Sequence, residues 1–278
     1  MQAEANKAKD TPRRALLTVL VTAVICSTIV SGSVVLLRPI QLNNQLLERS
    51  GNIMQLTGLL PAGETVEDEE LLALIKSLDT RVFNVDKGAF TASIDPYTFD
   101  SRKAAGDPEL SVAVPATEDR AKLGRRSRFK VAYLVWKDDV LDRVILPIRG
   151  AGMWSMIYGY IALEPDLNTL AGVIFYEQNE TPGLGDQISQ DYWERQWQGK
   201  QLYDETGEML FRVAEGPVKP GSAAADYQVD ALTGATITAN AVTAMMRYWF
   251  GPNGYGPLLQ HLREHPPQPP AADARQEI

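Results

Sequence analysis

The chain has 278 residues, 45% of them hydrophobic, enough for one large domain or two small ones. Its 27 basic and 35 acidic residues give a formal net charge of −8, which leaves no basic field for a phosphate backbone and excludes nucleic acid as a partner. A single cysteine, Cys26, excludes an intrachain disulfide and any Cys-rich zinc or iron–sulfur cage, and two histidines near the tail, His261 and His265, argue against a histidine metal site.

From Ala15 to Leu37 the chain reads ALLTVLVTAVICSTIVSGSVVLL, without a charge. About 23 residues at about 1.5 Å rise cover the roughly 30 Å hydrocarbon core of a bilayer, so residues 15–37 are expected to form a transmembrane helix. The run is too long for the apolar region of a signal peptide, and no clear small-x-small cleavage site precedes Arg38. Lys7, Lys9, Arg13 and Arg14 precede it while only Arg38 and Arg49 follow closely, so the positive-inside bias keeps residues 1–14 cytoplasmic and the rest of the chain outside.

Residues 38–128 are expected to form an extracytoplasmic helical and irregular arm: an amphipathic helix ending before Pro61, a short helix over DEELLALIKSLD, and a polar stretch from Asp86 to Arg128. From Phe129 the pattern sharpens. Runs rich in Val, Ile, Tyr and Trp flank KDD, and a second pair flanks EPDLNT, which predicts an antiparallel sheet. In GAGMWSMIYGY, Trp154, Tyr158 and Tyr160 are expected on one face of a strand. DQISQDYWERQWQGK has helical character, EMLFRVAEG reads as a strand, and ITANAVTAMMRYWF as a helix stopped by GPNGYGP. The Pro-rich tail, 263–278, is expected to be disordered.

Two stretches could carry chemistry. In DALTGATITAN, Thr233 or Thr236 can act as an N-cap before a helix beginning near Ile237, with Gly234 giving backbone freedom. The same geometry sets free N–H groups and a helix dipole beside two hydroxyls, which suits a phosphate equally. In EQNETPGLGDQ, Pro182, Gly183 and Gly185 make a turn whose backbone can approach a ligand, with Leu184 between the glycines, although an ordinary strand-to-helix connection explains that loop too.

Together these pieces resemble a known family. Asp-x-x-Thr-Gly-Ala-Thr-x-Thr, Asp230 to Thr238, is similar to the flavinylation signature of covalent FMN-binding domains, and ETPGLG resembles their flavin loop. One span, an FMN domain and the ending GYGPLLQHLRE resemble the C subunits of sodium-translocating NADH:quinone oxidoreductases (Na+-NQR). The resemblance implies an α+β fold: a single N-terminal transmembrane helix followed by an extracytoplasmic FMN-binding domain at 129–262, an antiparallel sheet flanked by helices. It further implies FMN esterified through its phosphate to Thr236 by a flavin transferase, with Thr233, Gly234 and Ala235 around the ester and Asp230 bracing the loop or addressing the transferase. Thr181, Leu184 and Gly185 would lie against the isoalloxazine, with Trp154 and Tyr158 shaping its pocket. The implied role is electron relay within a six-subunit membrane complex that oxidises NADH, reduces ubiquinone and exports sodium. No NADH-binding Gly-x-Gly-x-x-Gly follows a strand here, and the span carries no ionisable ion path, so those tasks would fall to partner subunits. Two alternatives stand beside this reading: the G subunit of an Rnf-type ferredoxin:NAD electron-transport complex, which shares both motifs and the anchor, and a cofactor-free membrane-anchored scaffold.

Overall fold

The computed structural model describes residues 12–58, 67, 71, 73–75 and 78–270, without the side chains of 39–49. Lys7 and Lys9, half of the DEELLALIKSLD segment and residues 271–278 therefore lie outside the described residues; Leu71 and residues 73–75 are helical. The chain divides into two compact units, Met1–Glu48 and Arg49–Ile278.

In the first unit, the apolar run is helical. Helix α1 spans Pro12–Thr57, and its segment Pro12–Arg38 has a mean hydropathy of 2.3 with no part of it buried. Its hydroxyls need no outside partners: Thr18, Thr22, Ser27, Thr28 and Ser33 each donate to the carbonyl four residues back. Such back-bonding satisfies a hydroxyl inside hydrocarbon.

The second unit is built on one antiparallel sheet. Strands β1 (Asp79–Asn84) and β2 (Phe90–Thr91) come first, then helix α2 (Ser101–Gly106) and a small hairpin of β3 (Ser111–Ala113) with β4 (Arg125–Ser127). Four long strands follow, β5 (Phe129–Lys137), β6 (Val140–Ala151), β7 (Met156–Leu163) and β8 (Leu170–Glu177), and the sheet order is β2-β1-β5-β6-β7-β8. The segment 38–128 is thus more than an arm: β1 pairs along its whole length with β5, from Asp79 opposite Leu134 to Asn84 opposite Phe129. The short RVFN run is too brief to announce a strand alone, and its alternation becomes a strand only against the exposed edge of β5.

The KDD signal is a two-residue hairpin: Lys137 pairs with Val140, and Asp138 and Asp139 both take positive φ, 50° and 60°. That is the twist a tight antiparallel connection needs, and Asp tolerates it. EPDLNT closes the next hairpin through Asp166, whose carboxylate accepts from the N–H groups of Asn168 and Thr169 and from the Thr169 hydroxyl. These bonds hold the Asp166 carboxyl below its ordinary range against the opposing effect of burial.

After β8 the helical character expected over 186–200 takes the form of short 3₁₀ turns, Gly185–Ser189 and Arg195–Trp197, on either side of helix α3 (Asp191–Glu194). Gln190 adopts an extended ψ of 134° and interrupts it. Trp193 and Trp197 are nevertheless buried and pack edge-on at 5.5 Å, while Tyr192 points to solvent. EMLFRVAEG contributes only β9 (Arg212–Val213), paired in parallel with β10 (Gln228–Val229). Helices α4 (Thr236–Trp249) and α5 (Gly256–Glu264) complete the unit.

Alternation along the strands divides the sheet between two apolar layers. Val144, Leu146, Ile148, Ile157 and Ile161 share a core with Val242, Met245, Met246 and Leu258 of the two C-terminal helices. On the opposite face, the Leu56 side chain reaches to 3.1 Å of the space a Cβ would take at Gly172, and Arg143 donates to the Leu56 carbonyl at 2.7 Å. Of the tail expected to be disordered from 263, Arg263 and Glu264 end helix α5, Arg263 donates to the Leu167 carbonyl at 3.1 Å, and Arg81 donates to the Gln268 carbonyl at 2.7 Å.

Candidate functional site

The turn into α4 differs from the capped helix start expected. Helix α4 begins at Thr236 itself, Ala235 is the N-cap with φ −129° and ψ 43°, and no side chain caps it. Neither Thr233 nor Thr236 serves as a cap, because Gly234, at φ +74°, turns the chain one residue earlier, with the Ala235 N–H bonded to the Leu232 carbonyl at 3.1 Å. A residue with φ > 0 at that turn position is best a glycine. The Thr233 and Thr236 side chains are left exposed, Ala235 is buried between them, and the first-turn N–H groups of α4 lack a side-chain acceptor. An uncapped helix N-terminus beside a free hydroxyl fits an anionic phosphate ester in position and charge.

The 180–185 loop meets this turn. A Cβ at Gly234 would come within 3.0 Å of Leu184 Cδ2, and one at Gly185 within 2.7 Å of Thr238 Oγ1. The two sequence motifs therefore share one surface, on which Leu184 and Ile237 are both exposed. Trp154 belongs to the same neighbourhood but not to a strand: it lies in the turn before β7, 67% exposed, and its indole N–H donates to the Thr181 hydroxyl at 3.1 Å. The GAGMWS run makes a turn because the Gly152 N–H closes onto the Ser155 carbonyl at 2.7 Å, which ends the alternation two residues after the glycine.

Tyr158 lies elsewhere. It packs under the Arg102 guanidinium, 4.1 Å from the ring centroid, and Arg102 in turn forms a two-pronged ion pair with Glu177 at 2.6 and 2.8 Å. That bond raises the guanidinium pKa further. The cluster braces the end of β8, from which the 180–185 loop departs. Asp230 faces inward: its carboxylate takes the Val218 N–H at 2.7 Å and its carbonyl the Trp193 indole at 3.0 Å.

Glu180 and Thr238 also belong to this surface, and neither was among the expected contacts of the site. Both are nearly fully buried, and the Thr238 hydroxyl donates to the Glu180 carboxylate, which also accepts from the backbone N–H groups of Met153 and Trp154. The available signal was a polar residue at the border of each motif: Glu180 opens ETPGLG and Thr238 closes the Asp230–Thr238 run. A cleft of about 500 Å³ lined by Thr117, Arg120, Glu208, Arg247 and Asn253 contains none of the residues named for the site. Among the described residues no group of three or more His, Cys, Asp or Glu could hold a metal.

Comparison with known proteins places this geometry in a family. The FMN-binding domain family matches residues 152–251, a range that contains both motifs. The chain is 41% identical over 257 residues to the C subunit of the Na(+)-translocating NADH-quinone reductase of Pseudomonas aeruginosa, covering 92% of this chain and 98% of that one. It is 36% identical over 256 residues to the same subunit of Neisseria meningitidis, covering 92% and 96%. Its fold is similar to the crystal structure of Shewanella oneidensis NqrC, with a TM-score of 0.70 and 35% identity over 80% of this chain and 98% of that one. With both motifs joined on one surface and similarity running along nearly the whole length, the chain belongs to the family of C subunits of Na(+)-translocating NADH-quinone reductases.

Proposed function

We propose that the chain holds FMN as a phosphoester on the Thr236 hydroxyl and presents it outside the cytoplasm for electron transfer between partner subunits. As a family member with an FMN-binding domain, it is an FMN-carrying electron-transfer subunit of a sodium-translocating NADH-quinone reductase, an oxidoreductase complex of several subunits. Its apolar N-terminal helix anchors it to the membrane. The bound flavin supplies reversible uptake and release of electrons.

The observation that carries the attachment reading is the exposed Thr236 hydroxyl at the first position of an uncapped helix. First-turn N–H groups and the positive end of the α4 dipole stabilise the anionic ester there. Gly234 and the buried Ala235 keep the approach clear of side chains, and Thr233 lines its outer edge. Asp230 braces the base of the turn through Val218 and Trp193, which keeps its charge turned away from the ester. Thr181, Leu184 and Gly185 supply the surface for the isoalloxazine, with the Trp154 indole fixed beside it, and Tyr158 supports the loop indirectly through Arg102 and Glu177.

The charges Lys7, Lys9, Arg13 and Arg14 before the apolar helix support a cytoplasmic N-terminus in a bacterial inner membrane, with the sheet domain periplasmic. A flavin transferase would act on Thr236 there, and the other five of six subunits would hold the remaining centres. Similarity that runs through the region between anchor and FMN domain favours this over an Rnf-type subunit or a scaffold without cofactor. The test is intact-mass and peptide mass spectrometry of the full chain coexpressed with a flavin transferase. Wild type is expected to gain the mass of one FMN on the peptide containing Thr236, and Thr236→Ala none; an unmodified Thr236 in a fully active complex overturns the reading.

A further inference from the structure

We propose that Glu180 is a positioning residue of the flavin site: its buried carboxylate ties the 152–154 turn, the 180–185 loop and the first turn of α4 into one arrangement. The proposal rests on the attachment reading above. Glu180 is 4% exposed and Thr238 2%. The carboxylate accepts the Met153 N–H at 3.0 and 3.1 Å, the Trp154 N–H at 3.2 Å and the Thr238 hydroxyl, so two stretches of chain converge on a side chain carried by a third. A carboxylate accepts at both oxygens and can take all of these donors at once.

The surrounding glycines are placed for this contact. A Cβ at Gly152 would fall 2.5 Å from Glu180 Oε1, and a Cβ at Gly185 would fall 2.7 Å from Thr238 Oγ1 and 2.9 Å from Glu180 Cβ. Real side chains do not approach so closely, so these two glycines are needed by the carboxylate and its hydroxyl partner, besides any need of a ligand. Each tie reaches a residue of the site through a short path. Thr238 is two residues beyond Thr236 on the same helical turn, so fixing its side chain fixes the backbone of the first turn that carries Thr236. Trp154 is held at its backbone by Glu180 and at its indole by Thr181, the next residue in the chain. Glu180 therefore sets the hydroxyl that receives the phosphate and the loop that receives the ring in a single register, before either is occupied.

Substitutions separate this role from simple filling of space. In Glu180→Gln the amide oxygen can still accept the two backbone N–H groups, while the amide NH₂ donates to Thr238, whose hydroxyl accepts as readily as it donates. Glu180→Ala leaves the buried donors unpaired, and Thr238→Val removes one partner at nearly constant volume. The full chain of each variant, coexpressed with a flavin transferase, is measured for bound FMN by intact mass, for the visible circular dichroism of the flavin, and for thermal midpoint.

FMN loading is expected to fall about tenfold or more in Glu180→Ala, the scale of loss when a reacting group is displaced from its working position. Glu180→Gln is expected to restore loading, and Thr238→Val, which leaves a buried carboxylate oxygen short of a donor, to fold with a lowered thermal midpoint and a changed flavin dichroism. Full loading with wild-type dichroism in a folded Glu180→Ala overturns the proposal; if that variant does not fold, the same result in Thr238→Val overturns it. A wild-type chain without FMN overturns the attachment reading and this proposal with it, whereas a loaded wild type beside an equally loaded Glu180→Ala overturns this proposal alone.

Discussion

Two buried charged side chains in the sheet domain are treated in opposite ways. At one end of β7 and β8, Glu180 accepts from donors of two other stretches of chain and each bond holds a piece of the site. Across the sheet, Lys130 is 4% exposed, its ammonium lies 4.6 Å from the ring centroid of Trp249, and Arg149 and Arg126 stand nearby with only Asp100 as a distant counterweight. Burial first, then the two arginines, lower its pKa to about 7. The comparison shows what decides the value of an interior charge: directed hydrogen bonds turn it into a geometric device, whereas a ring face and like charges leave it a cost to folding.

The largest expected effect breaks the comparison on the Lys130 side. The unfolded chain binds a proton at Lys130 up to the ordinary lysine pKa of 10.5, while the folded chain gives it up near 7, so stability from this residue rises with pH through that window and is lost toward pH 7. Thermal midpoints of wild type and Lys130→Met, compared between pH 7 and 9.5, are expected to show the slope in wild type alone, with the variant more stable at pH 7 by on the order of 3 kcal/mol. Glu194 works in the other direction. Burial raises its pKa from 4.5 to about 7, against the Phe175 N–H that it accepts, so its contribution falls as pH rises from 4.5 to 7.

A smaller effect sharpens the Glu180 side. Gly185→Ala forces a methyl to 2.7 Å from Thr238 Oγ1, and chemical denaturation is expected to show a loss of about 1–3 kcal/mol together with a weaker flavin dichroism. The smallest effect belongs to a charge pair that is neither buried nor tied to the site. Arg195 and Asp191 meet at 3.1 Å but are 76% and 83% exposed, so Arg195→Ala is expected to shift stability by no more than about 0.5 kcal/mol. A larger loss there would mean that surface pairing, not interior bonding, governs this end of the domain.

Much of the fold was legible because its signals are local. The uncharged run from Ala15 to Leu37 needs only its length to be a spanning helix, and KDD needs only two residues that tolerate positive φ to be a hairpin. Strands β1 and β2 were not legible, since the six-residue β1 is stabilised by the β5 edge it joins, some fifty residues away in sequence, and the two-residue β2 only by pairing with β1. The helical character of 186–200 was legible but its break at Gln190 was not, for the same kind of reason: Trp193 and Trp197 are drawn into the core beside Phe175, and that packing overrides a helix of moderate propensity.

The candidate site divides along the same line. Sequence alone determined which residue types are present and in what order: a threonine two places before another in a turn, glycines where backbone must come close, an acid opening the flavin loop. Tertiary structure decided which of them meet. Only the folded chain leaves Thr236 uncapped and exposed, brings Leu184 against Gly234, and turns Glu180 and Thr238 inward onto each other, because a hydrogen bond depends on distances of about 3 Å between segments that sequence spacing does not relate.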